Sequence, residues 1–375
     1  MRQKLSQNPV IKLLASDRIT VVCLFLLFVL TFWGTIAQVE HGLYPAQERF
    51  FSSIVFLVWN FIPFPGARLV LWVFFINLIL VSLFRFEYNR KHTGILVMHG
   101  GILLLLISAF VTFHFSRESH LSLFENEGAN VTASYYDWEF AVWKGQEDKK
   151  DVIAYDVKHF KAGQILSFDE FPFTAAVKNY FPNAKAYVND DILADKEVLN
   201  ASGITAIKKT EAFLNPEKNT PGLSLLLKTD SDAVELLLFG EEIQPTPVDV
   251  GGEKYFFQLR YKRFVLPFLV RLVDFRMEQH PGTEMAKSYE STVEVDTPQM
   301  ARETVISMNN PLRYRDYTFY QASYAIDQLG REQSTLAVVK NMGRVLPYVA
   351  TLVTFLGLLV HFIFMVRSHV ANGRA

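Results

Sequence analysis

The sequence is poor in cysteine, with one, Cys23, among 375 residues. A single thiol excludes an internal disulfide framework, a Cys-x-x-Cys redox pair and a multi-cysteine zinc site, and there is no Cys-x-x-Cys-His string to hold a c-type haem covalently. Charge is also scarce: Asp, Glu, Lys and Arg make up 20% of the chain, and Lys+Arg 37 against Asp+Glu 38 leave a formal net charge of -1. Without a cationic excess to neutralise phosphates, the composition argues against a nucleic-acid partner. No Gly-rich phosphate loop follows a β-prone run, no His-Glu-x-x-His or comparable spacing links the histidines, and no serine nucleophile or close carboxylate pair stands out. Internal repeats and low-complexity tracts are missing too.

Apolar residues, in contrast, make up 50% of the chain and gather into long runs near its two ends. Four of these approach the ~20 residues that a helix needs to cross the hydrocarbon of a bilayer: Ile19–Ala37, Gly66–Phe84, Ile95–Phe115 and Leu346–Val366. The first lacks an A-x-A-like cleavage site and continues into Gly34-Thr35-Ile36-Ala37-Gln38, so it reads as a retained span rather than a leader. Arg2, Lys4, Lys12 and Arg18 precede the first span, Arg85, Arg90 and Lys91 join the second to the third, and Arg367 follows the fourth. Arg68, Arg117, Lys340 and Arg344 fall on the other side, a smaller share. The positive-inside rule then predicts an inner-membrane protein with both termini in the cytoplasm. The expected organisation is a membrane region over residues 1–115, an outer-face domain over 116–344, and a last span with its tail over 345–375.

Between the first two spans, Ile54–Phe61 is too short to cross and ends in Pro63-Phe64-Pro65-Gly66. It is expected to lie along the outer surface as an amphipathic interfacial helix. The outer segment reads as mainly antiparallel β. Leu223–Thr229 and Val234–Phe239 are β-prone runs around Asp230-Ser231-Asp232, and Lys254–Phe264 alternates aromatic and basic residues. Further strands are expected at Leu266–Phe275, Tyr289–Val295, Thr304–Ser307 and Tyr317–Gln321, in a sandwich or open barrel. The fold class is therefore a membrane protein with four transmembrane helices and a β-rich extracytoplasmic domain.

His99 is the most informative residue, because ionisable side chains inside a span are rare and face a partner, a cavity or a ligand. It stands in Gly94-Ile95-Leu96-Val97-Met98-His99-Gly100-Gly101, where the glycines let a second helix or a flat ligand approach the backbone. His361 repeats the pattern in the last span. Each lies about five residues from its cytoplasmic end, roughly 7 to 9 Å at ~1.5 Å per residue, so the two imidazoles share a depth. Two neutral imidazoles can hold six-coordinate haem in an apolar bundle. The alternatives are helix packing for His99 and an interfacial, snorkelling His361. His41, His114 and His120 fall near the outer interface, where solvation is the simpler role. Arg85, Arg90, Lys91 and Arg367 would sit where haem propionates could pair with them, although the positive-inside rule already accounts for them.

Three strings then matter together: GTIAQVEHGLYPAQERFFSS (Gly34 to Ser53) with IPFPG after it, GILVMHGG (Gly94 to Gly101), and ISMNNPLRYRDYTFYQASY (Ile306 to Tyr324) preceded by LPFLVRLVDF. In combination they resemble the ResB-like (CcsB) family of cytochrome c biogenesis proteins, from about Leu14 to the last span. The resemblance implies a subunit that works with a CcsA-type membrane partner to deliver haem b across the membrane and attach it to apocytochrome c. By the same resemblance His99 is an axial ligand of the haem iron; a partner histidine, or His361, is the expected second ligand. Asn309-Asn310-Pro311 and Asp316-Tyr317 depart from the family's Asn-His-Pro and Gly-Tyr, so no histidine role carries over to position 310. The partner's Trp-rich haem-binding segment is also missing, so the chain reads as at most a non-autonomous subunit of a holocytochrome c synthase. A rival reading is a membrane-anchored scaffold whose β domain recruits an envelope partner without binding haem.

Overall fold

The computed structural model describes residues 8–85, 89, 92–145, 151–188, 198–229, 233–282, 286–297 and 300–372. The Asp230-Ser231-Asp232 turn and the basic residues Arg2, Lys4, Arg90 and Lys91 lie outside them. Two compact units form, one from the chain up to Arg117 together with Lys340 onward, the other from Glu118–Val339.

In the first unit the four apolar runs become four long helices: α1 Asp17–His41, α2 Ala67–Leu80, α3 Thr93–Phe115 and α4 Leu346–Asn372. Each run is long and apolar enough to cross a membrane, α2 with the wider turn Val81–Arg85 that prolongs it. Ser16 caps α1, its hydroxyl accepting from the Arg18 amide. Asn77 of α2 is buried and fully engaged: it accepts from the Thr20 hydroxyl at 2.6 Å and donates to Leu14 O at 2.6 Å and Ser16 O at 3.1 Å. A polar side chain in an apolar helix thereby ties down the chain that leads into α1.

The expected interfacial helix over Ile54–Phe61 is not formed. A short helix at Leu43–Ala46 and a wide turn at Gln47–Ser52 come first, and then Val55–Val58 (β1) pairs antiparallel with Ile62–Pro65 (β2). The reason is the period of the side chains. Phe56 and Val58 point into a cluster with Phe50, Trp33 and Phe64, while Val55 and Leu57 are exposed, an alternation of two rather than 3.6. Pro63 and Pro65 could not have continued a helix in any case. Trp59 and Asn60 close the turn at φ 50° and 65°. Asparagine tolerates that left-handed region, whereas tryptophan is strained there.

The second unit contains β4 Gly128–Lys144, β5 Val152–Asp156, β6 Ile165–Ser167, β7 Thr174–Phe181, β8 Ala184–Val188, β9 Val198–Leu199, β10 Ile204–Lys209, β11 Gly222–Lys228 and β12 Ala233–Phe239. Then follow β13 Thr246–Val250, β14 Glu253–Gln279, β15 Ala286–Thr297, β16 Met300–Ser307, β17 Leu312–Tyr314 and β18 Tyr317–Ile326. The flanking strands β3 Arg117–Phe124 and β19 Glu332–Lys340 complete the set. A ten-stranded sheet runs β16-β15-β14-β4-β3-β19-β18-β17, with β13 on β14 and β5 on β4. A five-stranded sheet, β6-β7-β11-β12-β9, is antiparallel except for the short β12–β9 pair, and β8 and β10 form their own ladder.

Two cores result. Phe140 and Val142 of β4 and Tyr255, Phe257 and Leu259 of β14 pack against Val177, Leu225 and Leu236 of the smaller sheet. Farther along β14, Leu266, Phe268, Val270 and Leu272 pack with Leu121, Val293, Ile306, Phe319 and Val338. The two strands expected at Lys254–Phe264 and Leu266–Phe275 are thus one long strand. It passes Pro267 without ending because the ladder slips there: Val265 pairs with Val131 but Val270 with Ala129, so Pro267 falls in the bulge, where no ladder hydrogen bond is lost. Arg260 and Glu139, opposite each other on β14 and β4, form a buried ion pair of 2.9 Å on the other face of these strands. Inside the second core Gln321 accepts from Ser291 at 2.7 Å and donates to Ser334 at 3.0 Å, pinning β18 to β15 and β19.

Candidate functional site

α3 and α4 pack antiparallel along a seam of small residues. A Cβ on Gly94 would fall on the His361 backbone, one on Gly101 on that of Thr354, and one on Gly357 on that of Met98. Only glycine allows such an approach, the usual device for helix pairing where lipid removes the hydrophobic drive. Gly94, Met98 and Gly101 therefore mark the side of α3 that α4 covers.

His99 stands on the opposite side. At ~100° per residue it lies about 140° from Gly94 and about 160° from Gly101. Its Nδ1 is 2.7 Å from Ile95 O, one turn back. A carbonyl only accepts, so the neutral ring carries its proton on Nδ1 and its lone pair on Nε2, the tautomer that binds metals. Beside it, a Cβ on Gly100 would meet nothing within 4 Å. The half-buried imidazole thus has an open strip of helix next to it, which suits a planar macrocycle.

His361 differs in each respect. Its backbone is on the seam, and its Nδ1 is buried without a hydrogen-bond partner among the described residues. The expected match in depth is not kept, since His361 abuts Gly94, about 7 Å and more than one turn along the axis from His99. The structure does not bring the two onto one face. Arg85, another residue singled out by the sequence, is held by Asp17 at 2.7 Å and donates to Ala15 O. His114 lies on the same side of α3 as His99, a relation that 100° steps along the sequence would have revealed. Among the described residues no three His, Cys, Asp or Glu side chains converge as a metal-ligand set.

In the β unit, His120 sits on β3 beside the rings of Tyr135 at 4.9 Å and Tyr261 at 6.4 Å. Its Nδ1 is buried without a partner among the described residues, and burial holds its pKa below the usual imidazole value. The pocket exists because β4 bulges: Tyr261 pairs with Trp138 but Arg263 with Ala133, so the residues between, Tyr135 among them, leave the ladder.

The strings LPFLVRLVDF and ISMNNPLRYRDYTFYQASY meet inside the second core. Phe268 packs edge-on against Tyr314 at 5.0 Å and Tyr317 at 5.5 Å, and Phe275 contacts Tyr324 at 5.7 Å. These residues belong to a segment, 252–342, that matches the ResB-like family model. Over this segment the chain is similar to the ResB-like family. The ResB-like segment spans β14 to β19 and supplies most of the second core and the Ser291–Gln321–Ser334 network. The chain is also similar to Protein NrfI of Wolinella succinogenes, 35% identical over 96 residues, a stretch that makes up 25% of this chain and 10% of NrfI.

Proposed function

We propose that this chain is the membrane subunit of a cytochrome c biogenesis machinery and holds haem b, its cargo, through His99 for attachment to apocytochrome c. The ResB-like match and the similarity to NrfI support a role in cytochrome c biogenesis. The observation that carries the haem assignment is the position of the His99 ring, held through Nδ1 at Ile95 O on the side of α3 that α4 does not cover. Because His361 is spent on the seam, the second axial ligand comes from a CcsA-type membrane partner, which docks on that open side. The chain's one thiol, Cys23, is buried among apolar residues of α1 and α2, so the cysteines that receive the haem vinyl groups are those of the apocytochrome. The protein's share is positioning and exclusion of water. On this reading both termini lie in the cytoplasm and the β unit on the outer face, where an apocytochrome would dock, an orientation supported by the basic residues that flank the spans.

In the purified complex, His99→Ala is expected to remove the haem Soret band and to lower cytochrome c maturation at least tenfold. Imidazole added to a His99→Gly variant is expected to restore the band. Wild-type haem content and full maturation in His99→Ala would overturn the assignment and leave the scaffold reading in its place.

A further inference from the structure

A cavity of about 330 Å³, within the range of small-molecule sites, lies along α2 and α3 with its polar and apolar walls separated. Ser52, at the end of the turn Gln47–Ser52, Arg68 in the first turn of α2 and His114 in the last turn of α3 line it where α2 begins and α3 finishes. Deeper in, the wall is apolar. Trp72 and Phe75 lie four and seven residues beyond Arg68, and Phe110 and Ile107 four and seven before His114. At ~1.5 Å per residue both helices are therefore apolar over the same stretch, about 6 to 10 Å from the polar groups.

Those polar groups are unspent. The Arg68 guanidinium lies 5.5 Å from the Phe113 ring; among the described residues no carboxylate pairs with it, and the Ser52 hydroxyl makes no hydrogen bond. His114 Nδ1 is 3.0 Å from Phe110 O, which leaves Nε2, an acceptor in the neutral ring and a donor in the charged one. Among the described residues no Asp or Glu lines the cavity.

We propose that the cavity holds one anionic phospholipid, its phosphate on Arg68 and Ser52 and an acyl chain along Trp72, Phe75 and Phe110. Guanidinium and hydroxyl both donate, a phosphodiester accepts, and the planar fork of arginine suits it. That match holds for either protonation state of His114. A lining without carboxylates offers nothing to an ammonium, so an anionic headgroup such as phosphatidylglycerol is preferred to a zwitterionic one. The charged end coincides with the helix ends, where a bilayer keeps its headgroups, and the apolar stretch reaches about 10 Å into a leaflet that is half of a ~30 Å hydrocarbon core. Haem also carries its charge along one edge. Because His114 stands at the same end as Arg68, however, a haem held there by its propionates would set its iron deeper, among Trp72, Phe75 and Phe110, which supply no ligand. The site requires that α2 and α3 cross the bilayer, and it is independent of the His99 assignment.

The purified full-length chain, stripped of lipid in detergent, is titrated with dioleoyl phosphatidylglycerol, and bound lipid is counted by native mass spectrometry. One phosphatidylglycerol per chain is expected, bound about tenfold more tightly than dioleoylglycerol, which has the same chains and no phosphate, and about threefold more tightly than the phosphatidylethanolamine. Arg68→Gln should weaken it about tenfold and Ser52→Ala about threefold. Arg367→Gln, which removes one charge from an exposed position on α4, should bind as the wild type does. Equal affinity for phosphatidylglycerol and either reference lipid would overturn the site, and this comparison needs no variant to fold. Wild-type binding by Arg68→Gln would overturn it as well, and displacement of the lipid by millimolar inorganic phosphate would leave a free-anion site in its place. Displacement by ferric haem that fails in His114→Ala and persists in His99→Ala would give the cavity to haem. A chain that alkaline carbonate washes out of membranes would overturn the spanning reading on which the site stands.

Discussion

One methyl group added to the α3–α4 seam tests the geometry on which the His99 assignment depends. At Gly357 a Cβ would stand 2.9 Å from both Gly94 O and Met98 Cα, and at Gly101 2.6 Å from Thr354 N and 2.9 Å from its Cα. Carbon atoms pack best at about 3.5–4.0 Å, so the two backbones must part by roughly 1 Å. The obstacle is main chain and has no rotamer by which to swing aside. Over-packing of this kind typically costs about 1–3 kcal/mol. Helix propensity acts in the other direction, since alanine is favoured over glycine by about 1 kcal/mol. At Gly101 and Gly357 the clash is the larger effect; at Gly100, where nothing lies within 4 Å, only the propensity gain operates. Thermal unfolding of the purified protein in detergent should therefore show Gly101→Ala and Gly357→Ala destabilised by up to about 2 kcal/mol. Gly100→Ala should be unchanged or more stable. The double variant Gly94→Ala/Gly357→Ala should fall short of the sum of its parts, because one parting of the helices relieves both contacts. Equal shifts for Gly100→Ala and Gly101→Ala would refute the seam, and with it the placement of His99 on the open side.

Two further outcomes follow from the β unit. Gln321→Leu removes the bonds to Ser291 and Ser334 from a dry core and should lower stability by about 1–3 kcal/mol, read as a shift in the denaturation midpoint; an unchanged midpoint would mean that the network adds nothing. His120 is held neutral by burial, so its folded pKa lies below the unfolded one. That stability is present above the unfolded value of about 6.5 and is lost as the pH falls through it, when the unfolded chain takes up the proton first. The wild type should therefore lose more thermal stability between about pH 7.5 and 5.5 than His120→Gln does, and parallel pH profiles would contradict this.

The four long apolar helices were legible because twenty apolar residues in a row have few other uses, and the structure places the ends of α3 at Thr93 and Phe115, close to the run Ile95–Phe115. The strands Leu223–Thr229 and Val234–Phe239 were equally plain from β-branched and leucine-rich runs around a polar turn, and they appear as β11 and β12. Long-range effects escaped. The break expected between Lys254–Phe264 and Leu266–Phe275 does not form, because pairing with a distant strand, β4, carries one strand through and creates the bulge that admits Pro267. Ile54–Phe61 looked helical beside a membrane because its apolar content was weighed before its alternation. Residue counts alone put the histidines at 99 and 361 at one depth, which the packing of α3 on α4 does not keep, and which side of α3 faces α4 depends on glycines whose partner lies more than 250 residues away in the sequence. Asn77 gave no signal at all, since its partners Thr20, Leu14 and Ser16 are brought to it only by the packing of α1 on α2.

The pairing of β3 with β19 sets a timetable for biosynthesis. The Ser119 hydroxyl bonds the Val338 carbonyl across 219 residues, so the first strand of the larger sheet waits for its neighbour until all of that intervening chain has been made. Meanwhile β3 and β4 present unpaired edges, Leu121 and Leu123 among their side chains, and contacts so distant in sequence form slowly. A nascent chain of this protein is thus most vulnerable to aggregation and to proteases before β19 has emerged. A holding factor that shields those edges would improve its yield more than one that acts after synthesis is complete.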